Sequence, residues 1–164
     1  GMAWTNILHR ALACPVVNLG FSGNGRLEPS VLAFIREIDA RLFILDCMAN
    51  LPGEPETEIT SRLVDAVLSL REKSGAPILL VEHAGYSNAS TDVQQRERYA
   101  HTNRASQAAY QQLKAKGITE VYYLSHEELG LAPDSWVDYV HPSDYGMVQQ
   151  AHAILEKIQT NHLY

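Results

Sequence analysis

Short apolar runs alternate with longer amphipathic stretches along most of the chain. Continuous apolar runs of this length are typical of strands that are buried on both faces of a sheet. Four such strands are predicted: Pro15–Gly20, Arg41–Cys47, Pro77–His83 and Glu120–Ser125. The other stretches repeat apolar residues at helical spacing. Five helices are predicted: Met2–Ala13, Glu28–Ile38, Glu56–Gly75, Gln94–Lys116 and Tyr145–Gln159.

The alternation of strands and helices predicts a parallel sheet that is covered by helices on both faces. Because the sequence contains no internal repeat and no interdomain linker, we expect residues 1–164 to form one α/β domain, a three-layer sandwich. Functional residues in such folds lie in the loops that follow the strands. The loops of interest are Gly20–Gly25, Asp46–Asn50, Glu82–Tyr86, the stretch from Ser125, and Asp134–Gly146.

The composition excludes several classes of protein. Of the 164 residues, 46% are hydrophobic and 20% are charged, which is ordinary for a globular domain. The net charge is −6 without a cluster of Lys or Arg, which argues against a nucleic-acid or anionic-membrane surface. No apolar run approaches the roughly 20 residues of a transmembrane helix. Cys14 and Cys47 lie at the edges of apolar segments and are predicted to be buried free thiols.

The loop before the last helix contains Asp138, then His141 three residues later, then Pro142. In a tight turn the carboxylate bonds one imidazole nitrogen, which fixes the tautomer and stabilises the imidazolium that forms during proton transfer. The alternative is an ordinary surface Asp and His. The position after the last strand, the stiffening proline and the helix that follows favour the catalytic interpretation.

Two further loops carry neutral hydrogen-bond donors. In the turn Gly20–Gly25, the backbone N–H of Gly23 is unobstructed by a side chain, as an oxyanion hole requires. Asn50 follows the second strand, and its NH₂ group is a donor that does not titrate. The alternatives are a turn that needs glycine for its dihedral angles and an asparagine that caps a loop.

Together these motifs resemble those of the SGNH (GDSL-like) hydrolases. The stretch Val16–Gly25 is similar to the family's second block, "DCMAN" to its third, and "DYVHPSDYG" to its fifth. The resemblance implies a flavodoxin-like three-layer sandwich, a catalytic pair of His141 and Asp138, and an oxyanion hole formed by Gly23 and Asn50. The third block reads CMAN, with Asn50 last, where the family commonly has G-x-N-D.

The family's first block, which carries the nucleophilic serine on the first strand, has no counterpart in the chain. The resemblance therefore implies a single SGNH-hydrolase-like domain over residues 1–164 that lacks its N-terminal strand, with the serine upstream of Gly1. Ser22 is the alternative nucleophile, although Asn24 breaks the G-x-S-x-G pattern of the other hydrolase fold. An inactive remnant of the family is a further alternative.

The missing first strand would leave two strand edges unpaired, at a cost of roughly 1–3 kcal/mol for each buried unsatisfied backbone group. We expect the remaining strands to close the gap, or another molecule to pair with the exposed edge, including self-association of the chain.

The substrate pocket is predicted from residues near the same rim: Glu82, His83, Tyr86, Trp136 and Tyr139. Packing and strand-end hydrogen bonding are the alternative roles of these residues. His9, His101, His126, His152 and His162 have no partner at metal-ligand spacing and are predicted to be surface residues, while Ser125 to Glu128 suits the cap of a short helix. No metal or organic cofactor is expected.

The function expected from the resemblance is a serine esterase that acts on a small-molecule or carbohydrate ester, including the removal of acetyl groups. A non-catalytic flavodoxin-like binding domain and a metal-dependent hydrolase are the rival interpretations. The compartment stays open, because the protein is either cytoplasmic or has lost an upstream leader that directed it to the periplasm or out of the cell.

Overall fold

A parallel three-stranded sheet forms the centre of the protein, in a computed structural model that describes all residues from Gly1 to Tyr164. Strand β1 (Phe43–Leu45) pairs with β2 (Ile78–Val81), and β2 pairs with β3 (Val121–Leu124). Six helices surround the sheet: α1 (Trp4–Leu12), α2 (Pro29–Ile35), α3 (Glu56–Arg71), α4 (Val93–Ala115), α5 (His126–Leu129) and α6 (Asp144–Thr160). Short 3₁₀ turns span Met48–Asn50 and Pro133–Ser135.

The central strand β2 shows how the layers are built. Its side chains alternate between two hydrophobic cores, as the pleat of a strand requires. Ile78 and Leu80 join the core that contains α3 and α4, whereas Leu79 and Val81 join the core that contains α1 and α6. Burial on both faces explains the continuous apolar run in the sequence. The predicted α/β three-layer sandwich with a parallel sheet is therefore confirmed.

The strand predicted for Pro15–Gly20 is wrong. Residues 15–19 form no backbone–backbone hydrogen bond, and Val17 is 63% exposed. A strand requires a neighbour whose N–H and C=O groups face its own, and this segment has none. It lies instead across a groove of about 890 Å³ from β1, so the two segments line the same cavity without pairing.

The expectation that the remaining strands close the gap is also wrong. The sheet order is β1-β2-β3, so β1 has a paired edge toward β2 and an unpaired edge toward the groove. The apolar pattern of Pro15–Gly20 predicted that the segment faces hydrophobic surroundings. It could not show whether those surroundings include a partner strand.

Several smaller expectations can now be settled. Ser125 and Glu128 form a reciprocal capping box at the start of α5, as predicted. His101 and His126 are half-buried, so their assignment as surface residues was wrong: the His126 ring lies 5.0 Å from that of Tyr99. Both cysteines are free and half-buried. None of the helices has the length and apolarity needed to cross a membrane.

Candidate active site

Asp138 and His141 form a hydrogen-bonded pair in the loop before α6. His141 Nδ1 lies 2.8 Å from Asp138 Oδ2, and the other carboxylate oxygen accepts the backbone N–H groups of Val140 and His141 at 2.8 Å each. The same carboxylate therefore closes the turn and orients the ring. The i, i+3 spacing in the sequence produces this contact because the turn folds back onto its own first residue.

Hydrogen bonds to two parts of the chain hold this loop in place. Within the loop, Val137 N–H donates to the carbonyl of His141 at 2.9 Å. From the loop after β2, Ser87 N–H donates to the carbonyl of Tyr139 at 3.1 Å, and the Ser87 hydroxyl contacts the carbonyl of Asp138 at 3.4 Å. Sequence reasoning missed Ser87, because nothing local to it signals a contact 51 residues away.

A tight backbone contact attaches the loop to α6. The Ser143 N–H donates to the carbonyl of Ser135 at 2.7 Å, and the Ser143 hydroxyl accepts the N–H of Gly146 as the cap of the helix. A Cβ at Gly146 would collide with the Ser135 carbonyl oxygen and approach Pro142 Cβ at 3.0 Å. Glycine is therefore required here for close packing.

The electrostatics suit a general base. Hydrogen bonds from the His141 ring, then from the backbone N–H groups of His141 and Val140, lower the pKa of Asp138 to about 2. The carboxylate therefore stays ionised at neutral pH and can stabilise an imidazolium. Because Asp138 occupies Nδ1 and the His141 side chain is 76% exposed, the opposite ring nitrogen, Nε2, is open to an incoming substrate.

The turn that contains Gly23 leaves the backbone N–H of this glycine unpaired and unobstructed. Gly23 has φ +75°, its N–H donates no hydrogen bond, and an added Cβ there would meet nothing within 4 Å. The turn is closed instead by Asn24 N–H to the Phe21 carbonyl at 2.9 Å and by Arg26 Nε to the Gly23 carbonyl at 3.1 Å. The backbone N–H of Gly23 therefore stays without an acceptor within the protein.

Asn50 lies against the same turn. It is the last residue of the 3₁₀ turn after β1, and its Nδ2 approaches the carbonyl of Gly25 at 3.4 Å. That contact uses one of the two N–H bonds of the amide group. The structure therefore places the Asn50 side chain beside the end of the glycine-rich turn, at Gly25.

No hydrogen bond joins the Asp138–His141 pair to Gly23, Asn50 or Ser22. Ser22 is exposed, its carbonyl accepts from Asn24 Nδ2 at 3.1 Å, and its hydroxyl has no partner. The contact between a nucleophilic serine and its base that defines a triad is therefore absent for Ser22. Cys47 is also a poor nucleophile, because burial raises the pKa of its thiol to about 12.

The predicted pocket residues divide into buried and exposed groups. Glu82, His83 and Tyr86 are each at most 8% exposed, whereas Tyr139 is 66% exposed and Trp136 is half-buried. Glu82 accepts from the Tyr123 hydroxyl at 2.5 Å and from the His126 N–H at 2.7 Å. Its carboxylate thus ties the ends of two neighbouring strands together, which is the packing role that the sequence left open.

Asn103 of α4 was not predicted and has a clear role. Its amide oxygen accepts the N–H of His83 at 2.8 Å, and its NH₂ group donates to the carbonyl of His83 at 3.1 Å. This clamp fixes the backbone where β2 ends. Burial, with a smaller contribution from nearby His126, lowers the pKa of His83 to about 4, so that ring is neutral at pH 7. No group of three His, Cys, Asp or Glu side chains is arranged to hold a metal ion.

Comparison with known proteins now places the chain. The sequence profile of the GDSL-like Lipase/Acylhydrolase family matches residues 1–159. The chain belongs to this family. A solved protein assigned as a GDSL-like lipase, from Bacteroides ovatus ATCC 8483, is 31% identical over 98% of this chain and 47% of its own, with a TM-score of 0.87. No curated protein sequence matches.

The salicylyl-acyltransferase SsfX3 of a tetracycline biosynthetic pathway shares the fold, with a TM-score of 0.80 at 19% identity. The match covers 98% of this chain and 49% of that protein. The chain thus spans about half the length of both solved relatives.

Proposed function

We propose that residues 1–164 supply the acid–base pair and the oxyanion hole of a serine-type ester hydrolase. The observation that carries this proposal is the 2.8 Å bond between Asp138 Oδ2 and His141 Nδ1, which leaves Nε2 free and exposed. Membership of a lipase and acylhydrolase family supports the class of reaction. In this proposal the attacking serine lies outside residues 1–164, because these residues lack the family's first block and Ser22 forms no hydrogen bond with His141.

Each proposed group has one task in the reaction. The serine oxygen attacks the ester carbonyl carbon while His141 Nε2 takes the hydroxyl proton, and that proton then passes to the departing alcohol. Water attacks the acyl-enzyme by the same route, and its proton returns through Nε2 to the serine. Asp138 stabilises the transient imidazolium, while the Gly23 N–H and the Asn50 NH₂ group stabilise the oxyanion.

The substrate we propose is a small acyl ester, with a carbohydrate as the alcohol that leaves. The support is the openness of the loop: His141 and Asp138 side chains are 76% and 53% exposed, so a bulky polar alcohol can approach Nε2 from solvent. A buried base would instead select small, apolar esters.

The direct test is the turnover of p-nitrophenyl acetate by residues 1–164 and by the polypeptide extended upstream of Gly1. We expect little turnover from residues 1–164 and efficient turnover from the extended form. A Ser22→Ala variant should change neither rate. Efficient turnover by residues 1–164 that Ser22→Ala abolishes would show that the nucleophile has been misplaced.

The rival to the hydrolase proposal is a non-catalytic binding domain, and the same assay distinguishes the two. If the extended polypeptide is folded and contains a serine at the end of its added strand, yet hydrolyses no p-nitrophenyl or carbohydrate acetate, the proposed function is overturned.

A further inference from the structure

Exposed apolar side chains are concentrated around His141 in the sequence. The chain has twelve exposed large hydrophobic residues, and four of them lie within residues 137–145: Val137, Tyr139, Val140 and Tyr145. Single exposed apolar residues are ordinary on a protein surface, whereas several together mark a binding surface. The proposed acid–base chemistry gives none of these four side chains a task.

The backbone beneath this patch is held in place. A bridge between Trp136 and Pro142 closes a hairpin whose tip is residues 137–141. At the tip, the carbonyl of Tyr139 accepts the N–H of Ser87 at 3.1 Å. The base of the Tyr139 side chain is therefore fixed before any ligand arrives, which lowers the entropy that binding must overcome.

The Tyr139 ring has no partner within the protein. It is exposed, and it packs on no other aromatic ring, whereas the rings of Tyr110 and Tyr123 lie 5.1 Å apart. Its hydroxyl forms no hydrogen bond, whereas that of Tyr123 donates to Glu82. A phenol ring buries a large area when a ligand covers it. Tyr139 therefore offers one flat apolar face and one polar tip to a ligand.

Tyr139 is close to the position that the alcohol half of the substrate takes. In the proposed reaction His141 Nε2 passes its proton to the departing alcohol, so the alcohol oxygen contacts that nitrogen. The Cα atoms of Tyr139 and His141 are at most about 7 Å apart, because only one residue lies between them. The group attached to the alcohol oxygen is therefore within reach of the Tyr139 ring.

The stretch of chain that contains the patch is acidic. Residues 117–156 include seven Asp or Glu and no Lys or Arg, and Asp134 and Asp144 are exposed on either side of the hairpin tip in the sequence. Carboxylates accept hydrogen bonds from hydroxyl groups and repel phosphates and other anions. The ligand that suits an apolar ring among carboxylates has a flat C–H face and hydroxyl groups along its edge.

We propose that Tyr139 binds the alcohol half of the substrate and that this half is a pyranose ring, whose C–H face packs on the phenol ring. This assignment rests on the proposed hydrolase function and narrows the leaving alcohol from carbohydrates in general to their ring forms. The hydroxyl groups at the edge of the sugar point toward water and the exposed carboxylates. Binding is non-covalent and adds no step to the reaction.

The kinetic test compares two acetates in the polypeptide extended upstream of Gly1. One is a monoacetate of methyl xylopyranoside, whose alcohol is a ring, and the other is 2-methoxyethyl acetate, whose alcohol is an open chain. We expect Tyr139→Ala to raise KM about tenfold for the pyranoside with kcat nearly unchanged, and to leave KM for the open-chain ester unchanged. Equal changes for the two acetates, or no change for either, overturn the proposal.

Two further variants show whether the ring itself is responsible. Tyr139→Phe keeps the aromatic face and should keep the original KM for the pyranoside acetate. Phe34→Ala removes an exposed aromatic ring from α2 and is the matched control, expected to change nothing. If Tyr139→Phe is as impaired as Tyr139→Ala, the hydroxyl binds the sugar in place of the ring, and if Phe34→Ala has the same effect, the sugar binds elsewhere. Either result contradicts the proposal.

Binding without turnover separates this proposal from the hydrolase function. Residues 1–164 are titrated with methyl xylopyranoside and, separately, with xylitol, which carries hydroxyl groups on an open chain. We expect saturable NMR shifts of the Tyr139 ring signals with the pyranoside and none with xylitol at the same concentrations. Such shifts without esterase activity of the extended form would keep the sugar site and overturn only the hydrolase function. Efficient hydrolysis without such shifts would overturn only the sugar site.

Two other occupants of the patch would give different results. Binding of residues 1–164 to phosphatidylcholine vesicles that Tyr139→Ala abolishes would identify a lipid surface. A dimer in sedimentation that Tyr139→Ala dissociates would identify a second copy of the chain. Either result, without NMR shifts on addition of the pyranoside, overturns the proposal.

Discussion

The loop that carries Asp138 and the groove that carries Asp46 differ in how far hydrogen bonds stabilise the charge of their carboxylates. Asp138 is exposed, and three hydrogen bonds to its carboxylate lower its pKa to about 2. Asp46 lines the groove, and burial raises its pKa to about 6 despite a bond from Gln150 at 2.9 Å. The carboxylate of Asp138 is satisfied by residues near in sequence, whereas β1 beside the groove is left with an unpaired edge.

The comparison shows that a site can be predicted from a short sequence motif when its hydrogen-bond partners lie within that motif. The Asp138 carboxylate finds its partners within the next three residues, although Ser87 of the loop after β2 also holds the backbone there. The groove depends on what lies across it. Four changes test the contrast, beginning with the largest expected effect.

Asp138→Asn should reduce kcat for ester hydrolysis, in a form that carries the serine, by about three to four orders of magnitude. The amide keeps the size of the side chain but can present an N–H to Nδ1, which favours the wrong tautomer of His141. The measurement is steady-state hydrolysis of p-nitrophenyl acetate. Asp134→Asn, at an exposed residue of the same loop region, is the matched control and should be neutral. An active Asp138→Asn enzyme would disprove the role assigned to this carboxylate.

Asn50→Ala should lower kcat by about 10²–10³, the usual loss for one oxyanion donor, with a smaller change in KM. The substitution should leave the free energy of unfolding nearly unchanged, because the only side-chain hydrogen bond of Asn50 is the 3.4 Å contact with the Gly25 carbonyl. Kinetics and thermal unfolding of the same preparation separate the two effects. A loss of stability in place of a loss of kcat would show that Asn50 only supports the turn.

Gly146→Ala should destabilise the fold by about 1–3 kcal/mol, because the added methyl group overlaps the Ser135 carbonyl that anchors the loop. Urea denaturation gives the free energy of unfolding. The control is Gly53→Ala, where a Cβ meets nothing within 4 Å. If both substitutions lower the free energy of unfolding by the same amount, the loop is not held by close packing at Gly146.

Asp46→Asn should stabilise the protein at pH 8 by about 1–3 kcal/mol, since burial of the charged form is unfavourable. A raised native pKa makes the native state bind more protons than the unfolded state between about pH 4 and pH 6. Stability of the unmodified protein therefore falls as the pH rises through that window, and the cost persists above it.

The Asp46→Asn advantage should accordingly vanish below about pH 4, where both states of the unmodified protein are protonated. Unfolding midpoints across this pH range test the sign. Asp65→Asn, at an exposed residue of α3, is the control. An advantage that persists unchanged at pH 3 would show that charge burial is not its cause.

The sequence allowed the layers and the local motifs to be predicted, for physical reasons visible in particular residues. The strand β2 is buried on both faces and reads as a continuous apolar run. The i, i+3 spacing of Asp138 and His141, together with Pro142 and the helix that follows, predicted their contact. Asn103 and Gln150 could not be found, because each acts on a partner 20 or 104 residues away. The segment Pro15–Gly20 was misassigned because its apolar character predicted a buried strand, whereas residues 15–18 are exposed and have no neighbouring strand.

The central claim is that His141 is the base of an ester hydrolase, and one measurement tests it most directly. It is the rate of p-nitrophenol release from p-nitrophenyl acetate by the polypeptide extended upstream, compared between His141→Ala and His152→Ala, an exposed histidine of α6. We predict a loss of about 10³-fold or more for His141→Ala and none for His152→Ala. Equal rates for the two folded variants would contradict the account.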